Sequence, residues 1–428
     1  MSSRATTWEP AVSSPGWYAF GLLLRPLQLG LAYPSVLYLA TMTVFLFRPP
    51  DLDFYHADRV ALGLLIFLVA LRSLALRDTI PFVAGLTLPM LGLVSLAVLR
   101  ALREPFDPQT WSLVASKFLV PLILLHVAIL VFRGTSARRQ FEVFAILALT
   151  YLVITAIAFF ADARSLIFPR FILDESLGIH ADRARGPFLQ AVANGMSLNI
   201  LGILAIALAQ KQRKVVLLIW LALPVAVLAT MTRAVWIAFA VSTIALGFRL
   251  GVRRFRRACV GLALAGLVVG LAIFLTANSL AKTIRERTAE RGPVEARMAV
   301  YDAAWDMFKE RPLTGWTAGG MYSELARRMP GYHLRSFYVH NTYLSLLTEF
   351  GVPGLALYGI LFFNLFRLGR TSIAVDESPA VASLRRVWPV LLCVYLFNAF
   401  FVDMAYQFVI GLMFTVAGIL CASEESPS

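Results

Sequence analysis

His340 closes the longest polar stretch of the chain, Ala277–Val339, and stands three residues before an apolar run that begins at Tyr343. An imidazole in that place can accept a proton near neutral pH. The stretch before it carries ten Lys/Arg residues, so the acid–base group keeps company with cations. Together they suit chemistry on an anionic substrate, whose developing charge cations stabilise as it leaves. Asn341 follows the histidine and is of a type that caps a helix starting at the next residues. The positive end of that helix disfavours imidazolium and keeps His340 usable as a base.

The arginines around it divide by position. Arg297 falls in Val294–Glu310, which reads as a helix stopped by Pro312 and Gly315. At 100° per residue it lines up with Tyr301, Ala304 and Phe308, while Glu295, Asp302, Asp306 and Glu310 take the other face. The bland alternative is an interfacial anchor. Arg291 lies just upstream, and it joins Tyr301 and Asn341 as a candidate substrate contact. Arg233 occupies the short connection Met231-Thr232-Arg233-Ala234 between two apolar runs, where it either grips an anion or snorkels to headgroups. Arg185 precedes Gly186-Pro187 and leads into Gln190…Asn194, so Arg185 and Asn194 are candidate binding residues; the plain reading of Arg185 is a solvated loop arginine. A rival centre is Asp51-Leu52-Asp53 with His56 and Asp58, a short acidic pattern of the kind that binds a metal. Cys259, Cys393 and Cys421 have no metal-ligand spacing, and neither a metal nor a cofactor is expected.

These groups must be positioned by membrane helices. Hydrophobic residues make up 59% of the 428 and charged residues only 15%, well below the roughly one quarter of soluble domains. Apolar runs of spanning length recur, which gives an all-α polytopic membrane protein with about twelve transmembrane helices. The expected spans are Ala32–Phe47, Val60–Leu76, Ile80–Leu99, Phe118–Phe132, Phe141–Ala161, Gln190–Ala209, Val215–Met231, Ala234–Phe248, Ala258–Thr276, Tyr343–Phe366, Val387–Val402 and Met404–Leu420. Residues 1–276 therefore hold about nine spans, 277–340 a large helical periplasmic loop, and 341–428 the last three. No cleaved signal pattern opens the sequence.

Net charge is +14, and its placement orients the chain. Arg133 with Arg138-Arg139, Lys211 to Lys214, Arg249 to Arg257, and Arg367 to Arg386 fall on alternate short connections. The positive-inside rule assigns these to the cytoplasm, with both termini inside. The basic residues of Asp162–Pro187 and Ala277–Val339 are then outside, where a bound anion accounts for them.

Val339-His340-Asn341-Thr342-Tyr343-Leu344 followed by Glu349-Phe350-Gly351-Val352-Pro353-Gly354-Leu355 resembles the signature of the O-antigen ligase and polymerase superfamily. Arg297…Trp305…Arg311-Pro312-Leu313-Thr314-Gly315, Thr232-Arg233-Ala234 and Arg185-Gly186-Pro187-Phe188…Asn194 match its other motifs in order, over roughly Ala161 to Leu357. One departure is Trp316-Thr317-Ala318-Gly319, where a glycine is expected closer behind Gly315. The resemblance implies a GT-C glycosyltransferase of the bacterial inner membrane. Such an enzyme moves a glycan from undecaprenyl pyrophosphate to a sugar hydroxyl, on a lipid A-core acceptor in a ligase or a further repeat in a polymerase. No nucleic acid partner is implied; the surroundings are membrane lipids. A flippase for lipid-linked sugars is the alternative of another class, and would place ionisable groups near mid-membrane.

Overall fold

The computed structural model describes residues 30–48, 56–79, 81–178, 181–209, 212–250, 292–329, 339–370 and 378–424. Those residues are helical with no strand. The helices are α1 (Pro34–Leu46), α2 (Ala57–Leu76), α3 (Ala84–Ala101), α4 (Pro108–Val114), α5 (Val120–Val131), α6 (Thr135–Phe160), α7 (Ala191–Leu208), α8 (Arg213–Ala229), α9 (Arg233–Leu250), α10 (Gly292–Glu310), α11 (Ala318–Arg328), α12 (Thr342–Leu368), α13 (Pro379–Ala399) and α14 (Gln407–Glu424).

Seven helices among the described residues are long and apolar enough to cross a membrane. Twelve spans are expected from hydropathy, so the count is only partly matched. The expected ninth span, Ala258–Thr276, lies outside the described residues. The first expected span forms the 13-residue α1, about 20 Å long at 1.5 Å per residue and short of a hydrocarbon core of roughly 30 Å. The seventh and eighth appear as α8 and α9.

Alternate connections gather at opposite ends of the bundle. Arg133 reaches Asp78 at 3.7 Å, Arg138 reaches Ser378 at 3.5 Å, and Ser35 donates to Gln140 at 2.6 Å at one end. At the other, Thr317 donates to Glu104 at 2.8 Å, Thr342 to Val402 O at 2.8 Å, and Ala184 N–H to Ala229 O at 3.0 Å. The central helix α7 is buried on nearly every side. Its Gly195 and Gly202 let Val235 and Leu223 approach so closely that an added Cβ would lie 2.5 and 2.6 Å from them. Small residues serve this role where helices pack in lipid.

Two local irregularities shape the site end. Between α4 and α5 the helix widens into a π turn, Ala115–Leu119, and Val120 N–H reaches back to Ala115 O. Pro121 has no N–H to offer Lys117 O, so the ordinary ladder has a gap there. The second is a break inside α12 at Gly351, whose φ of 67° no bulky residue adopts cheaply. Val352 N–H turns to Pro312 O at 2.8 Å, which orphans Thr348 O, and Trp316 N–H fills that acceptor at 2.7 Å. The turn Pro312–Gly315 and the broken helix thus complete one another's hydrogen bonds. The turn keeps its shape without a further glycine, because Gly315 itself takes φ 62° and lies on Glu349 O, 2.5 Å from where a Cβ would stand.

Candidate active site

His340 is half-buried just before α12, with a left-handed backbone at φ 51°. A non-glycine residue held there costs on the order of 1–3 kcal/mol and persists only where its surroundings impose it. The next residue supplies the constraint. Asn341 Oδ1 accepts from Tyr343 N–H at 3.0 Å and Leu344 N–H at 3.1 Å, the expected helix cap. Thr342 then ties the helix start to the α13–α14 connection, donating to Val402 O and accepting from Met404 N–H at 3.0 Å.

Over this corner lies α10. It starts at Gly292 and ends at Glu310, before Pro312, close to the expected limits. Val300, Ala304 and Met307 are its buried face, while Met298 and Trp305 stay exposed. Tyr301 is half-buried, and its one O–H lies within reach of two acceptors, His340 O at 3.4 Å and Phe400 O at 3.3 Å. Burial pushes the Tyr301 phenol up, and the Arg297 charge opposes that. Arg297 is exposed, one turn before Tyr301, with no carboxylate paired to it among the described residues. Burial, and then the Arg297 charge, hold the His340 imidazole below its ordinary value, against the opposing pull of Asp403. Burial and the neighbouring arginine thus favour the neutral imidazole, the form that can accept a proton.

Near the start of α12, beside residues 402–404, which Thr342 holds, is a group of charges that the sequence reading passed over. Lys117, set in the π turn, reaches Asp403 at 2.6 Å and Glu349 at 3.3 Å. Glu349 is only 2% exposed and also accepts from Tyr322 at 3.2 Å and Ser345 at 3.1 Å. Each of the three stands in an apolar run, and an ionisable residue in such a run is a functional candidate by default. Asp403 falls between two expected spans as a bare connection, and Glu349 belongs to the Glu349-Phe350-Gly351 motif.

The remaining candidates separate. Arg185 is 1% exposed and donates through Nε to Ile172 O at 3.1 Å, and through its other nitrogens to Asp174 O and Leu177 O. Neither a solvated arginine nor a ligand-facing one, it binds its own loop together. Asn194 is equally buried; its Nδ2 donates to Ala184 O at 2.8 Å and its amide lies against Gly186. Arg233 is exposed on the first residue of α9, at the same end as His340. α9 packs along α13, whose far end leads into the connection that holds Asp403. Arg291, Asp51 and Asp53 lie outside the described residues. His126, deep in α5, is paired with Thr87 at 3.0 Å and Leu122 O at 2.8 Å. No cluster of metal-ligand residues occurs among the described residues.

Residues 215–359 match the family model described as O-antigen ligase. That is about a third of the chain, and it bears out the resemblance to the O-antigen ligase and polymerase superfamily carried by Arg233, Arg297 and the His340 segment. Arg185, Asn194, Lys117 and Asp403 fall outside the matched residues. No curated protein matches the chain. A multi-pass membrane protein of this superfamily is consistent with the seven apolar helices.

Proposed function

We propose that this protein is an inverting, metal-independent glycosyltransferase of the O-antigen ligase type. It joins an undecaprenyl-pyrophosphate-linked glycan to a sugar hydroxyl of lipid A-core at the periplasmic face of the inner membrane. The observation that carries this reading is the meeting of a half-buried, neutral His340 with the exposed Arg297 at one end of the bundle, inside the family-matched stretch.

The acceptor hydroxyl gives its proton to His340 as its oxygen attacks the anomeric carbon. The bond from that carbon to the pyrophosphate oxygen breaks, undecaprenyl pyrophosphate departs, and displacement from the opposite side inverts the centre. Arg297 and Arg233 present planar forks suited to the pyrophosphate oxygens, and their charge offsets what builds up on the leaving group. Tyr301 and Asn341 fix the backbone that carries His340. The deeper Lys117, Glu349 and Asp403 are too occupied with one another to line a transport path, which weighs against a flippase.

The purified chain, given lipid-linked oligosaccharide with either lipid A-core or a second lipid-linked repeat, tests this directly. Transfer to lipid A-core that survives EDTA and disappears in His340→Ala is expected. Transfer only to the second repeat makes the protein a polymerase. Transfer abolished by EDTA and retained in His340→Ala moves the chemistry to Asp51 and Asp53 and overturns the reading.

A further inference from the structure

Three charged side chains from three distant parts of the chain meet near the start of α12, where Thr342 holds Val402 and Met404 on either side of Asp403. Lys117 comes from the π turn, Glu349 from α12 and Asp403 from the α13–α14 connection, and Ser345 bridges the two carboxylates at 3.1 and 3.4 Å. With all three ionised, two carboxylates share one ammonium and the group holds one negative charge in excess.

A base that accepts a proton becomes a cation, and the place where His340 stands resists one. It is half-buried, and Arg297 adds a positive charge from α10. Tyr301 from α10 and Asn341 from its own segment are neutral. Among the described residues, Asp403 is a carboxylate whose negative charge acts on the ring. Were Lys117 paired with Asp403 alone, the pair would be neutral and offer the imidazolium little. When ionised, Glu349 draws on the same ammonium and so leaves part of the Asp403 charge uncompensated.

We infer that Lys117, Glu349 and Asp403 act together as the buried counter-charge of the imidazolium that His340 becomes when it takes the acceptor's proton. All three are positioning residues in this scheme; none needs to touch substrate. The inference rests on His340 being the base.

Its test reads His340 itself. Modification of the full-length purified protein by diethyl pyrocarbonate, followed at His340 by mass spectrometry from pH ~5 to ~9, reports ring protonation without turnover. Glu349→Gln leaves a neutral Lys–Asp pair, so the midpoint should fall by about one pH unit. Lys117→Met leaves two carboxylates unneutralised, so the midpoint should rise. Asp403→Asn removes a carboxylate charge that favours the imidazolium and should lower it. The acidic limb of transfer should move with each midpoint. If Lys117→Met does not accumulate, the two carboxylate variants decide the matter. Midpoints that stay in place in Glu349→Gln and Asp403→Asn overturn the inference and make the cluster merely structural. Midpoints that move while the transfer limb does not follow uphold the counter-charge and remove His340 as the base.

Discussion

The Arg185 loop and the His340 corner are built from similar parts. Each has an arginine and an asparagine, and each has a left-handed residue, Leu189 or His340, both at φ 51°, just before a helix. The parts are used in opposite ways. Arg185 is sunk to 1% exposure with its donors on three carbonyls, and Asn194 holds the strand of loop above it. Arg297 stands exposed, and the asparagine beside the histidine caps a helix and fixes His340. Residue type and motif order do not separate a residue that holds from one that acts. Depth does, because a buried guanidinium must satisfy its donors locally whereas an exposed one can wait for a ligand.

The sharpest way to break this contrast is His340→Ala beside Arg185→Ala. The first should lose about 10²–10⁴-fold in transfer with normal amounts of folded protein. The second leaves three carbonyls without their donor, the buried Ile172 O alone costing about 1–3 kcal/mol, so folded protein should be scarce. Equal protein levels and equal activity losses would erase the distinction.

Arg297→Lys keeps the charge and loses the fork, so a loss of about tenfold or more is expected, with unchanged expression and an unmoved acidic limb. Arg233→Lys should behave likewise. If lysine serves as well as arginine at both positions, these are membrane anchors and the clamp disappears.

The acidic limb of wild-type transfer should lie below ~6.5, the ordinary histidine value. His340 must be neutral to accept a proton, and burial with Arg297 favours the neutral form, so activity should persist as pH falls through that value. A limb at or above it would place another group in control. Gly351→Ala drives a Cβ onto Pro312 O at a positive φ and should destabilise the protein by about 1–3 kcal/mol, read as a lower thermal midpoint.

The smallest perturbation tests which end faces outward. A cysteine at Ser323 should react with an impermeant thiol reagent in intact cells. One at Gly134, where a Cβ meets nothing within 4 Å, should not. Reversed labelling would turn the whole site to the cytoplasm.

Much of this was legible because it is local. The Asn341 cap, the end of α10 before Pro312 and the position of Arg297 one turn from Tyr301 are written within a few residues of one another. Lys117 and Asp403 are 286 residues apart, and hydropathy treats each as a blemish in an apolar run. Only packing of α5, α12 and α14 shows that such blemishes coincide. Arg185 was misjudged for a related reason. A loop that folds over its own arginine looks, residue by residue, like a loop in water.

The π turn at Ala115–Leu119 makes the reach of Lys117 a matter of counting. Each residue turns a helix by about 100°. Deleting any one residue between Pro108 and Lys117 would leave every contact of α5 in register yet swing the preceding turns by that angle. Inserting one between Lys117 and Pro121 would carry the ammonium itself away from Asp403 and Glu349. Two chains that both place a lysine here are equivalent only if the number of residues back to the proline is the same.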